Sequence, residues 1–322
     1  MLKSSKKPIL HLAPMCNITN RATRQIAKNF GCDITWSEMI SSEGLVRQKL
    51  KENKSLKLAQ KFNKTEAPYW VQIFGTNPQT MAQAAKIIEQ EIQPTGIDIN
   101  LGCPVPKARK GGYGAVQISE IDKVVEIIKA VKQEISLPLS LKTRLGLIDP
   151  IEILDFAPRL VEAGLNQLVV HARTLKGMFK EEPNWQIIKQ LNTLLDIPVI
   201  YNGGIKTPED AKFYMEKTGC HNLMIGQATI GNPWLFQEIK NHFQNKKEFA
   251  TKTNQITNQT KINTILNHAK LAISYFGEKG LIGFRTQLSA YLKNLKAPKS
   301  IRQQAVQITN LQDLKSLLKQ IS

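Results

Sequence analysis

Acidic residues are scarce in this chain. Its 322 residues carry 26 Asp and Glu against 44 Lys and Arg, a net charge of +18 and a pI near 9.7, more than solubility asks of an enzyme with a neutral substrate and suggestive of a polyanionic partner. Cysteine is also rare. Cys16, Cys32, Cys103 and Cys220 lie too far apart for a Cys-x-x-Cys pair and have no His at ligand spacing, which argues against a metal centre or a disulfide frame and for a cytoplasmic protein. No stretch approaches the roughly 18 apolar residues of a membrane span. The opening MLKSSKKPILHLAP starts basic, but its apolar run breaks at Pro14, too early for a signal peptide. Nothing in the composition calls for an obligate protein partner.

The charge is uneven. From residue 244 onward, 13 basic residues face 3 acidic ones, net +10, whereas the first 243 residues are net +8. Within those 243, Val, Ile and Leu-rich runs recur eight times: Ile9 to Met15, Asp33 to Met39, Tyr69 to Gly75, Gly96 to Gly102, Pro138 to Gly146, Gln167 to Arg173, Pro198 to Gly204 and Asn222 to Gln227. Between them lie segments of helical periodicity, such as Met81, Ala85, Ile88 and Ile92. Eight strand-helix units over this length predict an α/β fold, a (β/α)8 TIM barrel spanning 1–243. A doubly wound open sheet is the runner-up, disfavoured because no G-x-G-x-x-G follows the first strand.

Residues 244–322 read as a linker (244–261) and a basic α-helical domain, with helices over 262–275, 281–295, 301–308 and 311–321. In the second helix Arg285, Ser289, Lys293 and Lys296 form a polar stripe beside an apolar one. Such stripes are commonly solvated faces; in so basic a module, phosphate contact is the expectation.

A barrel's chemistry gathers where its strands end. Here the ends carry Pro14, Met15, Cys16 and Asn17, then Gln72, Asn100 and Cys103, then Lys142 and Arg144, His171 and Arg173, Asn202, Gly203 and Gly204, and finally Gly226 and Gln227. Cys103 sits at a Gly-Cys-Pro corner opening into a loop with Pro106, Gly111, Gly112 and Gly114. Lone cysteines are mostly small buried hydrophobes; this polar strand-end setting points instead to a working thiol on a loop able to move over a ligand. Glycines after the last two strands offer backbone N–H groups to a phosphate. Gln72 suits a flat heterocycle, and Lys142 suits an anion formed on its reduction. Flavin mononucleotide (FMN) meets both demands, although barrels bind many phosphates.

These residues fall within LAPMCNITNRATR, SEM, VQIFG, DINLGCPVPK, LKTRLG, HART, VIYNGGI and MIGQATIGNPW. In order and spacing the blocks resemble the tRNA-dihydrouridine synthases, and YFGEKGLIGFRTQLSAYLK looks most like the bacterial B-type branch. The resemblance implies bound FMN, NADPH (or NADH) as electron donor, a helical tRNA-binding domain, and reduction of a D-loop uridine to 5,6-dihydrouridine. By the same resemblance Cys103 is the general acid, and an ordinary thiol, with a pKa of about 8.5, holds its proton at neutral pH. Met15, Cys16, Gln72, Lys142, His171, Asn202, Gly203, Gly204 and Gly226 match cofactor positions, and the strand-end residues Pro14, Asn17 and Gln227 join them as cofactor-site candidates. Asn100 and Arg173 fall near the target uracil, while Arg285, Lys293 and Lys296 of the basic stripe are the expected tRNA contacts. Two departures stand out. Gln227 replaces a usual Arg, and Cys16-Asn17 replaces smaller residues.

Overall fold

The computed structural model describes residues 7–47, 66–178, 180–244 and 256–321. Among them, nine strands form one parallel sheet: β1 (Ile9–Leu12), β2 (Thr35–Trp36), β3 (Ile40–Ser41), β4 (Tyr69–Phe74), β5 (Gly96–Leu101), β6 (Leu139–Arg144), β7 (Gln167–His171), β8 (Val199–Asn202) and β9 (Asn222–Ile225). Their order is β1-β9-β8-β7-β6-β5-β4-β2, with β3 also on β4. The ends of this order meet. Leu12 N–H donates to Ile34 C=O at 3.0 Å, Ile34 N–H donates to Leu10 C=O at 3.1 Å, and the sheet closes into a barrel. The expected second strand, Asp33 to Met39, is in fact split. Ser37, Glu38 and Met39 form a kink between β2 and β3, so eight strand positions are filled by nine strands.

Helices alternate with the strands: α1 (Arg21–Asn29), α2 (Ser42–Arg47), α3 (Pro78–Ile92), α4 (Pro106–Lys110), α5 (Ile121–Glu134), α6 (Glu152–Glu162), α7 (Trp185–Leu194), α8 (Pro208–Thr218) and α9 (Leu235–Phe243). Their ends follow from sequence. In α3 the Asn77 side chain caps the Thr80 N–H and Pro78 occupies the first turn. In α8, Thr207 and Asp210 make a reciprocal capping box and Gly219 ends the helix at φ 73°.

Strand alternation sorts the side chains. One set, including Val71, Ile73, Ile97, Ile99, Leu139, Leu141, Leu168 and Val170, packs against the helices in the main core. The alternate set points into the barrel. Trp36, Trp70, Val169, Ile200 and Met224 form a separate interior cluster, with the two indoles stacked at 5.2 Å. Two residues further along the same strands come Gln72, His171 and Asn202, with Lys142 beside Val169 in the pairing register. Apolar residues thus plug the interior, and polar ones crown it.

Four helices follow: α10 (Asn258–Phe276), α11 (Lys279–Asn294), α12 (Lys299–Ala305) and α13 (Leu311–Leu318). Their apolar faces make a second core with Ala22 of α1 and Trp234. The expected linker is shorter than its composition suggested, because α10 already begins at Asn258, where the Thr257 side chain caps the Thr260 N–H. Residues 245–255 lie outside the described residues. No described helix is long and apolar enough to cross a membrane.

Candidate active site

The strand ends open onto a cavity of about 750 Å³. Its walls include Pro14, Met15, Cys16, Gln72, Asn100, Cys103, Lys142, His171, Arg173, Asn202, Gly203, Gly204, Gly226 and Gln227. Four of the residues singled out in the sequence are not among the lining. The Asn17 backbone, at φ 60°, turns its N–H to Glu38 Oε1. Arg285, Lys293 and Lys296 stand on the C-terminal helical region. Lys296 is not part of the helical stripe at all: α11 stops at Asn294, and Lys296 occupies a left-handed turn at φ 54°.

Cys103 is held by its backbone. The Asn100 side-chain oxygen accepts from the N–H groups of Gly102 (3.2 Å) and Cys103 (3.1 Å). Arg144 Nε donates to Gly102 C=O at 3.0 Å, and Ala115 N–H donates to Cys103 C=O at 3.1 Å. Gly114, at φ 75°, lies so close that a Cβ would come within 2.9 Å of the Cys103 carbonyl. The loop expected to be slack is therefore a closed excursion. It contains α4, and its ends are tied at Cys103 and Ala115.

Behind Asn100 stands a residue that the sequence reading passed over. Asp98 is fully buried and accepts from Gln72 Nε2 at 2.6 Å; Gln72 Oε1 in turn accepts from Asn100 Nδ2 at 2.8 Å. Burial raises the Asp98 carboxyl to about 7. Each group fixes the orientation of the next, so Gln72 keeps one N–H and one lone pair for a ligand. A signal for Asp98 was present, since it shares a face with Asn100 by strand alternation. Arg144 also does more than its place at a strand end implied. Besides Gly102 it donates to the carbonyls of Thr174 (3.1 Å) and Met178 (3.3 Å), bracing the loops after β5 and β7.

The rest of the lining is cationic and glycine-rich. Lys142 Nζ donates to Asn202 Oδ1 at 2.9 Å, and Asn202 Nδ2 donates to Met224 C=O at 2.8 Å. Burial, then the Arg144 charge, lowers the Lys142 ammonium to about 8. His171 is pushed well below its ordinary value by burial, then by Lys142, Arg144 and Arg173, so its imidazole is neutral. Gly203 and Gly204 have φ of 126° and 73°, and a Cβ on Gly204 would lie 2.6 Å from Pro183 and 2.7 Å from the Tyr214 hydroxyl. Backbone without side chains, beside Arg173 and Lys206, gives a cradle fit for a phosphate. Among the described residues no His, Cys, Asp and Glu cluster could hold a metal ion.

Residues 11–322 match the dihydrouridine synthase family. The chain belongs to that family. It is 31% identical over 313 residues to a probable tRNA-dihydrouridine synthase of Aquifex aeolicus, covering 96% of this chain and 94% of that one. It is 34% identical over 271 residues to tRNA-dihydrouridine synthase B of Vibrio parahaemolyticus, covering 84% and 81%. Among solved structures, a 2-naphthoyl-CoA reductase complex shares the fold, with a TM-score of 0.57 at 13% identity over 72% of this chain and 50% of the other. Membership in the family rests on the sequence relatives, and the barrel architecture is shared more widely.

Proposed function

We propose that this protein is a tRNA-dihydrouridine synthase that reduces the C5–C6 double bond of a D-loop uridine, with FMN bound in the barrel mouth and NADPH, or NADH, as electron donor. The observation that carries the reading is one cavity with unlike linings: the pinned Cys103 corner shares it with a cradle of Gly203, Gly204 and Gly226 and with half-buried Lys142. A general acid and a site for an anionic cofactor thus share one space.

In this reading the backbone of Gly203, Gly204, Gly226 and Gln227 would hold the phosphate, with Arg173 and Lys206 as nearby cations. Pro14, Met15, Cys16 and Gln72 line the seat of the ring, and Lys142 and His171 flank it. The chemistry that FMN would supply here, when bound and reduced, is the hydride for C6 of the uracil. Cys103 delivers the accompanying proton from its thiol to C5, and the fixed Gly102–Cys103 backbone aims that thiol. Asn100 and Arg173 hold the base, which must leave its stack to enter so deep a cavity. Residues 1–243 form the catalytic barrel and 244–322 the tRNA-binding helical domain, whose exposed Lys293 and Lys296 meet the phosphate backbone.

The decisive experiment supplies purified protein with FMN, NADPH and unmodified tRNA, then maps dihydrouridine by nucleoside mass spectrometry. Dihydrouridine in the D-loop is expected. NADPH oxidation with no dihydrouridine formed, or a protein that retains no flavin, would overturn the reading.

A further inference from the structure

The loop after β9 is strung between two cores. Its first residues, Gly226, Gln227, Ala228 and Ile230, line the cavity. They are wound into a tight turn in which Thr229 N–H and Oγ1 both donate to Gly226 C=O, at 2.9 and 2.8 Å. Upstream the loop continues a barrel strand. Downstream it leaves the barrel core. Gly231 is pressed against helix α11 so tightly that a Cβ would lie 2.3 Å from Tyr291 N and 2.4 Å from Ala290 C. Trp234, three residues on, belongs to the core of the C-terminal helices and lies 5.8 Å from the Tyr291 ring.

The same helix holds both backbone groups of Gly231. Gly231 N–H donates to Gln287 Oε1 at 3.1 Å, and Gly231 C=O accepts from Asn294 Nδ2 at 2.8 Å. Gln287 and Asn294 are two turns apart on one face of α11, so they bracket the glycine from either side. Gln287 is only 3% exposed, and its Nε2 reaches Thr23 Oγ1 on α1 at 3.5 Å. Gly231 itself has φ 62°, so neither its conformation nor its clearance admits a side chain. These contacts hold the far end of the turn whose near end faces the cavity. A shift in α11 therefore moves Gly226 and Gln227, because a tight hydrogen-bonded turn transmits displacement better than it absorbs it.

We propose that Gln287 and Asn294 are positioning residues for the phosphate-binding turn Gly226–Ile230, so that the C-terminal helices are part of the cofactor site and help it select a phosphorylated flavin. The inference rests on the reading of this turn as the phosphate seat. Neither side chain lines the cavity, so both act through Gly231.

The test compares two ligands on the full-length protein. FMN and riboflavin differ only in the phosphate, and fluorescence quenching gives the affinity of each for the apo-protein at one salt concentration. Gln287→Ala and Asn294→Ala should each weaken FMN binding by roughly three- to ten-fold, the usual consequence of losing one such hydrogen bond. Riboflavin affinity should stay within about two-fold, because the ring seat does not touch α11. Asn294→Ala changes an exposed helix end and guards against a Gln287→Ala protein that fails to fold. An unchanged preference for FMN over riboflavin in Asn294→Ala would overturn the inference. A parallel loss of both flavins would do so as well, showing general loosening instead. A wild-type protein that binds FMN and riboflavin equally would first sink the phosphate seat itself, a distinct failure visible before any variant is made.

Discussion

Cations at the barrel mouth and cations on the C-terminal helices differ in what surrounds them. Lys142 and Arg144 sit low in a cavity, each already donating to named oxygens at 2.9 and 3.0 Å, and burial lowers them to about 8 and 10. Lys293, Lys296 and Lys299 stand exposed on the surface. A buried cation acts at one point on a ligand that excludes water, where its charge is poorly screened. Exposed cations act together as a field on a polyanion and are screened by salt. In the proposed reading, one region does chemistry on a small group and the other holds a large one.

The largest expected effect breaks the barrel side of that contrast. Cys103→Ala should leave FMN bound and reducible by NADPH while slowing the reduction of tRNA by the reduced protein about 100-fold or more, the usual worth of a positioned acid. Single-turnover oxidation of the reduced protein by tRNA measures it. A full-rate step in Cys103→Ala would remove Cys103 from the chemistry, while leaving the helical side untouched.

Much of this division was legible in the sequence. The near-continuous Val and Ile runs marked the strands because a parallel sheet is buried on both faces. Alternation then carried Gln72, Lys142, His171 and Asn202 to one rim. Other features depend on contacts between distant segments. Glu66 is fully buried against Arg21 and Arg24 at 3.0 and 2.8 Å, a pairing that no local pattern announces. Asp98 hid inside an apolar strand, where a charge reads as an irregularity until its partner Gln72 is known. Lys296 kept helical spacing although the helix had already ended, since spacing alone does not record a left-handed turn.

The seam between the regions buries an imidazole. His268 on α10 lies between Thr23 Oγ1 on α1 (3.3 Å) and the Tyr291 hydroxyl on α11 (3.1 Å), and burial pushes it down to about 3. Between that value and about 6.5 the unfolded chain binds a proton that the folded protein refuses. Stability from His268 is therefore complete above about pH 6.5 and lost as pH falls, by about 1.4 kcal/mol per pH unit. His11, lowered to about 4, adds in the same direction; Asp98, raised to about 7, opposes both where it is protonated only in the fold. His268→Gln should flatten the dependence by one such slope between pH 4 and 6, read from urea unfolding at several pH values. An unaltered slope would mean that the seam admits a charged imidazole.

A smaller effect tests whether the mouth gains from a cation at Gln227, where the resemblance leads one to expect Arg. Gln227 is exposed at the cavity and offers only neutral donors. Gln227→Arg should tighten FMN about ten-fold, because charge-assisted bonds to phosphate are roughly twice as strong as neutral ones. Fluorescence titration of both apo-proteins decides it. Equal or weaker affinity would assign that role to Arg173 or Lys206.

The smallest effect separates two residues of one helix. Arg285 is half-buried, and its Nε and Nη2 both donate to Ile308 C=O, at 3.0 and 2.6 Å, closing the turn before α13. Lys293, two turns along, is exposed. Both are expected to contact phosphate from their place in one polar stripe. The structure divides them: Arg285→Ala should cost about 1 kcal/mol of stability, since it leaves a carbonyl unmatched, and should change the salt dependence of tRNA binding little. Lys293→Ala should leave stability unaltered and reduce the slope of log K against log salt by about one. Filter binding over a salt series, with thermal unfolding of the same proteins, distinguishes them. If the two variants flatten the slope equally, Arg285 reaches the phosphate with its remaining Nη1 and the buried contact is no bar to binding.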